Sequence, residues 1–184
     1  MSNHSVERSG LVTVLWGDGK GKTSAAAGMA LRALGHGMKV HLVPFLKGTL
    51  EAPFGLSGEL KALRDIPHFT MSDCVWGGWV DGSPTASQQE SVRQAVEEAR
   101  RVLARGDHDM VILDEILYAV SFGALPVEAV LDLLSLRRAE TDLVLTGGWN
   151  AIPEVNRVAD VVTEMKKHKH PFDRGGAARA GFEY

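Results

Sequence analysis

The chain has 184 residues, 45% hydrophobic and 23% charged, with a formal net charge of −3 and one cysteine, Cys74. At this length roughly 70% of the unfolded chain's surface is buried on folding, so one core suffices without disulfides or a structural metal. The balance gives no electrostatic case for nucleic acid, a lone cysteine excludes an intrachain disulfide, and no apolar run approaches the ~20 residues of a membrane span.

The start, MSNHSVERSG, carries no signal-peptide pattern, so a cytoplasmic protein is expected. Leu11 to Trp16 (LVTVLW) is apolar and rich in β-branched residues, which predicts a buried strand ending at glycines. Lys22 to Leu34 holds good helix formers, with Gly35 or Gly37 as the stop. Lys39 to Phe45 predicts a second strand. Residues 46–60 carry three glycines and a proline, which predicts a loop. His68 to Met71 is a short strand candidate. A glycine-rich aromatic stretch, SDCVWGGWVDGSPTASQQE, leads into a helix with a capping box at Ser87 and Glu90. Val92, Ala95, Val96, Ala99 and Leu103 form that helix's apolar face. Met110 to Leu113 is an apolar strand ending in Asp114-Glu115. Pro126 suits the first turn of a helix to about Leu136, with Arg137 and Arg138 complementing its dipole. Leu143 to Leu145 predicts a strand capped by Thr146-Gly147-Gly148. A short helix near Pro153 to Val158 and a strand at Val161-Val162 follow.

Strands alternate with helices, which predicts an α/β fold with a mostly parallel sheet flanked by helices. One domain over residues 1–184 is expected, with 165–184 as an irregular C-terminal tail. Ligands of such sheets collect at the carboxyl ends of strands, where the loops after Trp16, Phe45, Leu113 and Leu145 fall.

The loop after the first strand, GDGKGKTS, is close to G-x-x-x-x-G-K-[ST], yet Trp16 stands where the first glycine belongs. Glycines at 17, 19 and 21 allow backbone amides to turn inward as an anion-binding nest, aided by the following helix N-terminus. The candidate ATP-binding residues are Gly17, Asp18, Gly19, Lys20, Gly21, Lys22, Thr23 and Ser24. Glycines alone would make only a tight turn; the coincidence of strand, GKGKT and helix favours phosphate. Thr23 is a candidate Mg²⁺ ligand, and so is either Asp114 or Glu115 at the end of DMVILDE. Lys47, after a strand end, could reach phosphate. His168 and His170 lie on one side of an extended chain, but nothing completes a metal set with them.

Together these residues resemble the P-loop corrinoid adenosyltransferases. The resemblance runs through GDGKGKTSAAAGMALRALGHGMKV, PFLKG at 44–48, Trp76, VILDEILYAV at 111–120, LTGG at 145–148 and ADVVTEMKKHKHPFDRGGAARAGFEY. It implies a P-loop NTPase (RecA-like) architecture and transfer of the 5′-deoxyadenosyl group of ATP to a Co(I) corrinoid, with triphosphate as leaving group and Mg²⁺ as cofactor. The family's loop also lacks the first glycine, and its ATP is implied to lie reversed. Lys20 and Lys22 would then be catalytic through electrostatics. The resemblance also implies a corrin-facing Trp76 and Cys74, a Lys47 within reach of corrin amides, a flavoprotein reductant and a homodimer. Departures are Cys74 where Phe is expected, Gly148-Trp149 where Arg often follows Thr-Gly, and Arg179 where Gln is common. The competing readings are a P-loop phosphotransferase or ATPase, releasing ADP and phosphate, and a non-catalytic corrinoid or nucleotide binder.

Overall fold

A computed structural model describes residues 9–46, 56–73 and 82–182. Among these residues six strands form one sheet: β1 Val12–Trp16, β2 Val40–Pro44, β3 Phe69–Met71, β4 Met110–Asp114, β5 Asp142–Thr146 and β6 Val161–Glu164. Their order is β3-β2-β4-β5-β1-β6, and every pairing is parallel. The helices are α1 Lys22–Gly35, α2 Gly58–Arg64, α3 Ala86–Arg105, α4 Ile116–Ser121, α5 Val127–Leu136 and α6 Pro153–Val158, with a 3-10 turn at Pro171–Arg174. None of these helices is long and apolar enough to cross a membrane.

Both faces of the central strands are covered, which is why they read as continuous apolar runs. Val111, Leu113, Leu143 and Leu145 pack with α3 and α5, while Met110, Ile112 and Val144 face α1 and α2. On α1 the buried face is Ala26, Ala27, Ala30 and Ala33. Such small side chains let the helix approach the sheet closely. That approach brings the N-terminus of α1 beside the carboxyl ends of β1 and β4.

The structure departs from sequence expectation at four places. Helix α2 begins inside the stretch read as a loop, with Leu60 and Leu63 burying one face. Helix α4 follows Asp114-Glu115 directly, and its apolar Ile116, Leu117 and Ala119 are buried. The capping box of α3 is Thr85 with Gln88, not Ser87 with Glu90: the Gln88 N–H donates to Thr85 Oγ1 at 3.3 Å, and the Thr85 N–H donates to Gln88 Oε1 at 2.9 Å. Glu90 instead pairs with Arg93, one helical turn on. Arg137 does more than complement a dipole. Its guanidinium donates to the carbonyls of Gly10, Arg138, Ala139 and Thr141, which ties the α5–β5 turn to the start of β1.

One buried polar group couples the fold to pH. His41 on β2 is 8% exposed, with Nδ1 bonded to Thr70 Oγ1 at 2.7 Å and Nε2 to Ser72 Oγ at 2.8 Å. Burial, reinforced by His108 with its ring centroid 5.0 Å away and opposed by Glu98, pulls the His41 pKa down to about 4. Between that value and 6.5 the unfolded chain binds the extra proton, so stability falls as pH drops through this window. We expect urea denaturation to give about 2 kcal/mol less stability at pH 5 than at pH 7.5, with His41→Gln flattening the difference. Equal stability at both values in the unsubstituted protein would contradict this.

Candidate active site

The glycine loop joins the carboxyl end of β1 to α1. Gly21, at φ +110°, is the N-cap of α1 and supplies no side-chain cap. Gly17 and Gly19 do not offer their amides as the expected nest, because both N–H groups are given to backbone carbonyls; they are glycines because the chain passes close behind them. A Cβ on either would run into the backbone of Met165, which follows β6. The Gly19 N–H donates to the Met165 carbonyl at 2.6 Å, the Met165 N–H to Trp16 at 2.7 Å, and the Gly17 N–H to Gly148 at 3.0 Å. Asp18 is exposed, and its Oδ1 accepts the Lys167 N–H at 2.9 Å, a bond that lowers its pKa. The loop is thus held from behind by the β5–α6 turn and laterally by the start of the tail. Gly19→Ala is expected to separate loop from tail and to abolish the rise in Tm that ATP gives the unsubstituted protein; an undiminished ATP-dependent rise would contradict it.

Lys22 is only 8% exposed. Its Nζ donates to the carbonyls of Gly17 at 2.5 Å and Gly19 at 2.7 Å. Burial pushes its pKa down, while the Asp18 and Glu115 carboxylates push it back up. The ammonium is therefore desolvated and held against the loop it would serve. Lys20 is exposed, with Nζ 5.5 Å from the ring centroid of Phe182, and the Arg179 guanidinium lies 5.1 Å from the same ring. Ser24 turns toward α2, donating to Glu59 Oε1 at 3.3 Å.

The acidic end of β4 meets this loop. Asp114 is fully buried and accepts from Thr146 Oγ1 at 2.7 Å and from Thr23 Oγ1 at 3.0 Å. Thr146 Oγ1 in turn accepts the Glu115 N–H at 2.8 Å. This relay binds α1, β4 and β5 at one point. Glu115 adopts φ +67° at the N-cap of α4, a left-handed conformation that costs energy for a side-chain-bearing residue. Tyr118, one turn into α4, places its ring centroid 5.4 Å from Lys22 Nζ, and burial, with Glu115 and Asp18, pushes its hydroxyl up to about 12.

The structure brings Gly17–Thr23, Asp114 and Glu115 together. Cys74, Trp76 and Lys47 lie outside the described residues. Sequence reasoning did not single out Thr146, Tyr118 or Met165 for the site; the signal for Thr146 was its place in LTGG, ending the strand beside DMVILDE. His168 is exposed and His170 Nδ1 accepts the Phe172 N–H, so the latter begins the 3-10 turn. Among the described residues no group of three or more His, Cys, Asp or Glu is placed to hold a metal ion.

The family description ATP:corrinoid adenosyltransferase BtuR/CobO/CobP matches residues 8–184. The chain is 36% identical over 179 residues to the corrinoid adenosyltransferase of Escherichia coli K12, a match covering 97% of this chain and 87% of that one. It is 35% identical over 179 residues to the corrinoid adenosyltransferase CobA of Salmonella typhimurium, with the same coverage, and 36% identical over 181 residues to the corrinoid adenosyltransferase of Pseudomonas aeruginosa, covering 97% and 85%. In structure it is similar to the flagellar accessory protein FlaH from Methanocaldococcus jannaschii, with a TM-score of 0.53 at 11% identity, covering 85% of this chain and 71% of that one. At that identity the likeness speaks for the fold alone, a parallel α/β sheet flanked by helices. A glycine loop wired to a buried β4 carboxylate, within a chain matched almost end to end, places this protein in the ATP:corrinoid adenosyltransferase family.

Proposed function

We infer that the protein transfers the 5′-deoxyadenosyl group of ATP to the Co(I) centre of a corrinoid. The cobalt lone pair attacks the ribose 5′-carbon, the C5′–O bond breaks, and its electrons leave with triphosphate as cobalt becomes Co(III). The observation that carries the reading beyond family membership is the desolvated Lys22 ammonium, held against the Gly17 and Gly19 carbonyls. A preorganised buried cation is worth most where charge develops on the leaving group. On binding ATP, Lys22 would exchange these carbonyls for phosphate oxygens, while loop amides and exposed Lys20 meet the rest of the chain. No side-chain base is required, because the nucleophile carries its own electron pair.

We place Mg²⁺ beside Thr23, Asp114 and Glu115. The donors are a hydroxyl and two carboxylates, all hard oxygens that suit this ion. Bound there, Mg²⁺ would neutralise phosphate charge. Asp114 orients the Thr23 hydroxyl, and Thr146 fixes Asp114. Thr23→Ala is expected to raise the Mg²⁺ concentration for half-maximal rate about 10-fold or more, read from a Mg²⁺ titration at saturating ATP. An unchanged titration would remove Thr23 from the metal site.

The same reading puts Trp76 and Cys74 against the corrin and Lys47 near phosphate or corrin amides. It also takes residues 1–184 as one domain, a homodimer as the working form, a cytoplasmic setting and a flavoprotein as reductant; these rest on the family resemblance. An anaerobic assay with protein, ATP, Mg²⁺ and chemically reduced cobalamin tests the core statement. The expected products are a Co–C bond, seen in the corrinoid spectrum, and inorganic triphosphate. ADP and phosphate without spectral change would sink it.

A further inference from the structure

The phosphate site has an aromatic extension that the transfer chemistry does not use. Trp149 follows the β5 turn and is 42% exposed, a large fraction for an indole. Its ring packs on Tyr118 with centroids 5.1 Å apart at 65°, and on Phe122 at 5.0 Å and 83°. The turn that presents it is fixed in place. Gly147 lies at φ +110° where a Cβ would crowd the Tyr118 backbone, and Gly148 at φ +75° accepts the Gly17 N–H through its carbonyl. Tyr118 in turn lies 5.4 Å from Lys22 Nζ. A continuous path therefore runs from the phosphate-loop ammonium, across the Tyr118 ring, to an exposed indole.

We propose that Trp149, braced edge-on by Tyr118 and Phe122, is the stacking surface for the adenine base of ATP. This rests on the reading of Gly17–Thr23 as the triphosphate site. A nucleotide anchored there by its phosphates must place its base about a ribose's length away; of the two exposed aromatics that ring contacts join to the loop among the described residues, Phe182 already faces the Lys20 and Arg179 cations, whereas Trp149 faces no cation and is braced by two rings. The near-perpendicular packing leaves one indole available rather than a broad level floor. One indole matches a purine; a corrin ring, several times wider, would overhang it. Stacking of this kind is tolerant of base identity, because every base has a π-face. Trp149 should therefore add affinity for nucleoside triphosphates in general and leave the choice of adenine to hydrogen bonding.

The test is calorimetric binding with Mg²⁺ and no corrinoid, using ATP, GTP and inorganic triphosphate as separate probes. Trp149→Ala is expected to weaken ATP and GTP about 10-fold each and to leave triphosphate unchanged. Trp149→Phe should restore ATP binding to within about 3-fold of the unsubstituted protein, since a ring face is kept. Unchanged ATP affinity in Trp149→Ala would overturn the proposal. So would an equal loss for ATP and triphosphate, which would mean a disturbed loop, or a loss confined to cobalamin binding, which would make the indole a corrin contact. Triphosphate affinity of Lys22→Ala keeps the two readings apart: if it matches the unsubstituted protein, the phosphate-site reading fails, whatever Trp149 does.

Discussion

Lys22→Ala is expected to lower kcat for adenosyl transfer about 10²- to 10³-fold while leaving the folded protein as stable as before. The two halves of that expectation come from the same geometry. Nζ is buried and desolvated, and it binds two loop carbonyls and no carboxylate among the hydrogen bonds it donates. In the resting protein the cost of desolvating a cation offsets the gain from those two bonds, so truncation removes a benefit and a burden together. In the transition state the balance changes. Negative charge spreads onto a triphosphate leaving group, and a cation already stripped of water meets it without reorganisation. Lys20→Ala should cost less, about 10-fold, because its ammonium is exposed and screened beside Phe182. The measurement is loss of cob(I)alamin absorbance under anaerobic saturation with both substrates, alongside thermal unfolding. A Lys22→Ala enzyme that keeps its kcat would show that the leaving group is stabilised elsewhere. A Tm falling by more than about 5 °C would instead make Lys22 a structural residue.

The parts of this site that were legible in the sequence are those where one residue type has one use. GKGKT between an apolar strand and a helix former-rich segment reads as a phosphate loop, and the apolar strand ending in Asp114-Glu115 reads as its acidic complement. Both meet as expected, joined through Thr23. The sheet was legible for the same reason: strands buried on both faces leave uninterrupted apolar runs. What stayed hidden depends on contacts between segments far apart in the chain. Nothing local marks Met165 as the backbone that clasps Gly19, or Thr146 as the hydroxyl that bridges Asp114 and Glu115. Helix α4 was missed because six residues after a strand, Ile116–Ser121, are too short for a helical period to declare itself. Helix α2 was masked by the glycines and proline around it. The sequence could not choose between Asp114 and Glu115, because burial distinguishes them and spacing does not: Asp114 is fully buried, Glu115 only in part.

That difference in burial makes the two carboxylates separable by experiment. Asp114→Ala should lose about 3 kcal/mol of stability and at least about 10²-fold in transfer rate. The stability loss follows from what remains behind. Thr146 is fully buried, and its hydroxyl proton, now given to Asp114 at 2.7 Å, would have no acceptor there; Thr23 would lose its 3.0 Å partner as well. Asp114→Asn keeps one oxygen that can accept, so about half of the stability loss is expected, while the missing charge still impairs Mg²⁺-dependent turnover. Glu115→Gln should behave in the opposite manner. Its side chain is not needed to satisfy Thr146, which takes the backbone N–H of Glu115, so stability should change by less than about 1 kcal/mol. Its effect on rate then reports on the charge that Glu115 would lend to the proposed Mg²⁺ site. Urea denaturation and Mg²⁺ titration of the three variants give the answer. If Asp114→Ala unfolds at the same urea concentration as the unsubstituted protein, the relay from Glu115 through Thr146 to Asp114 and Thr23 does not hold α1, β4 and β5 together. If only Glu115→Gln shifts the Mg²⁺ titration, the partly buried carboxylate is the metal's anionic partner and Asp114 acts by positioning Thr23.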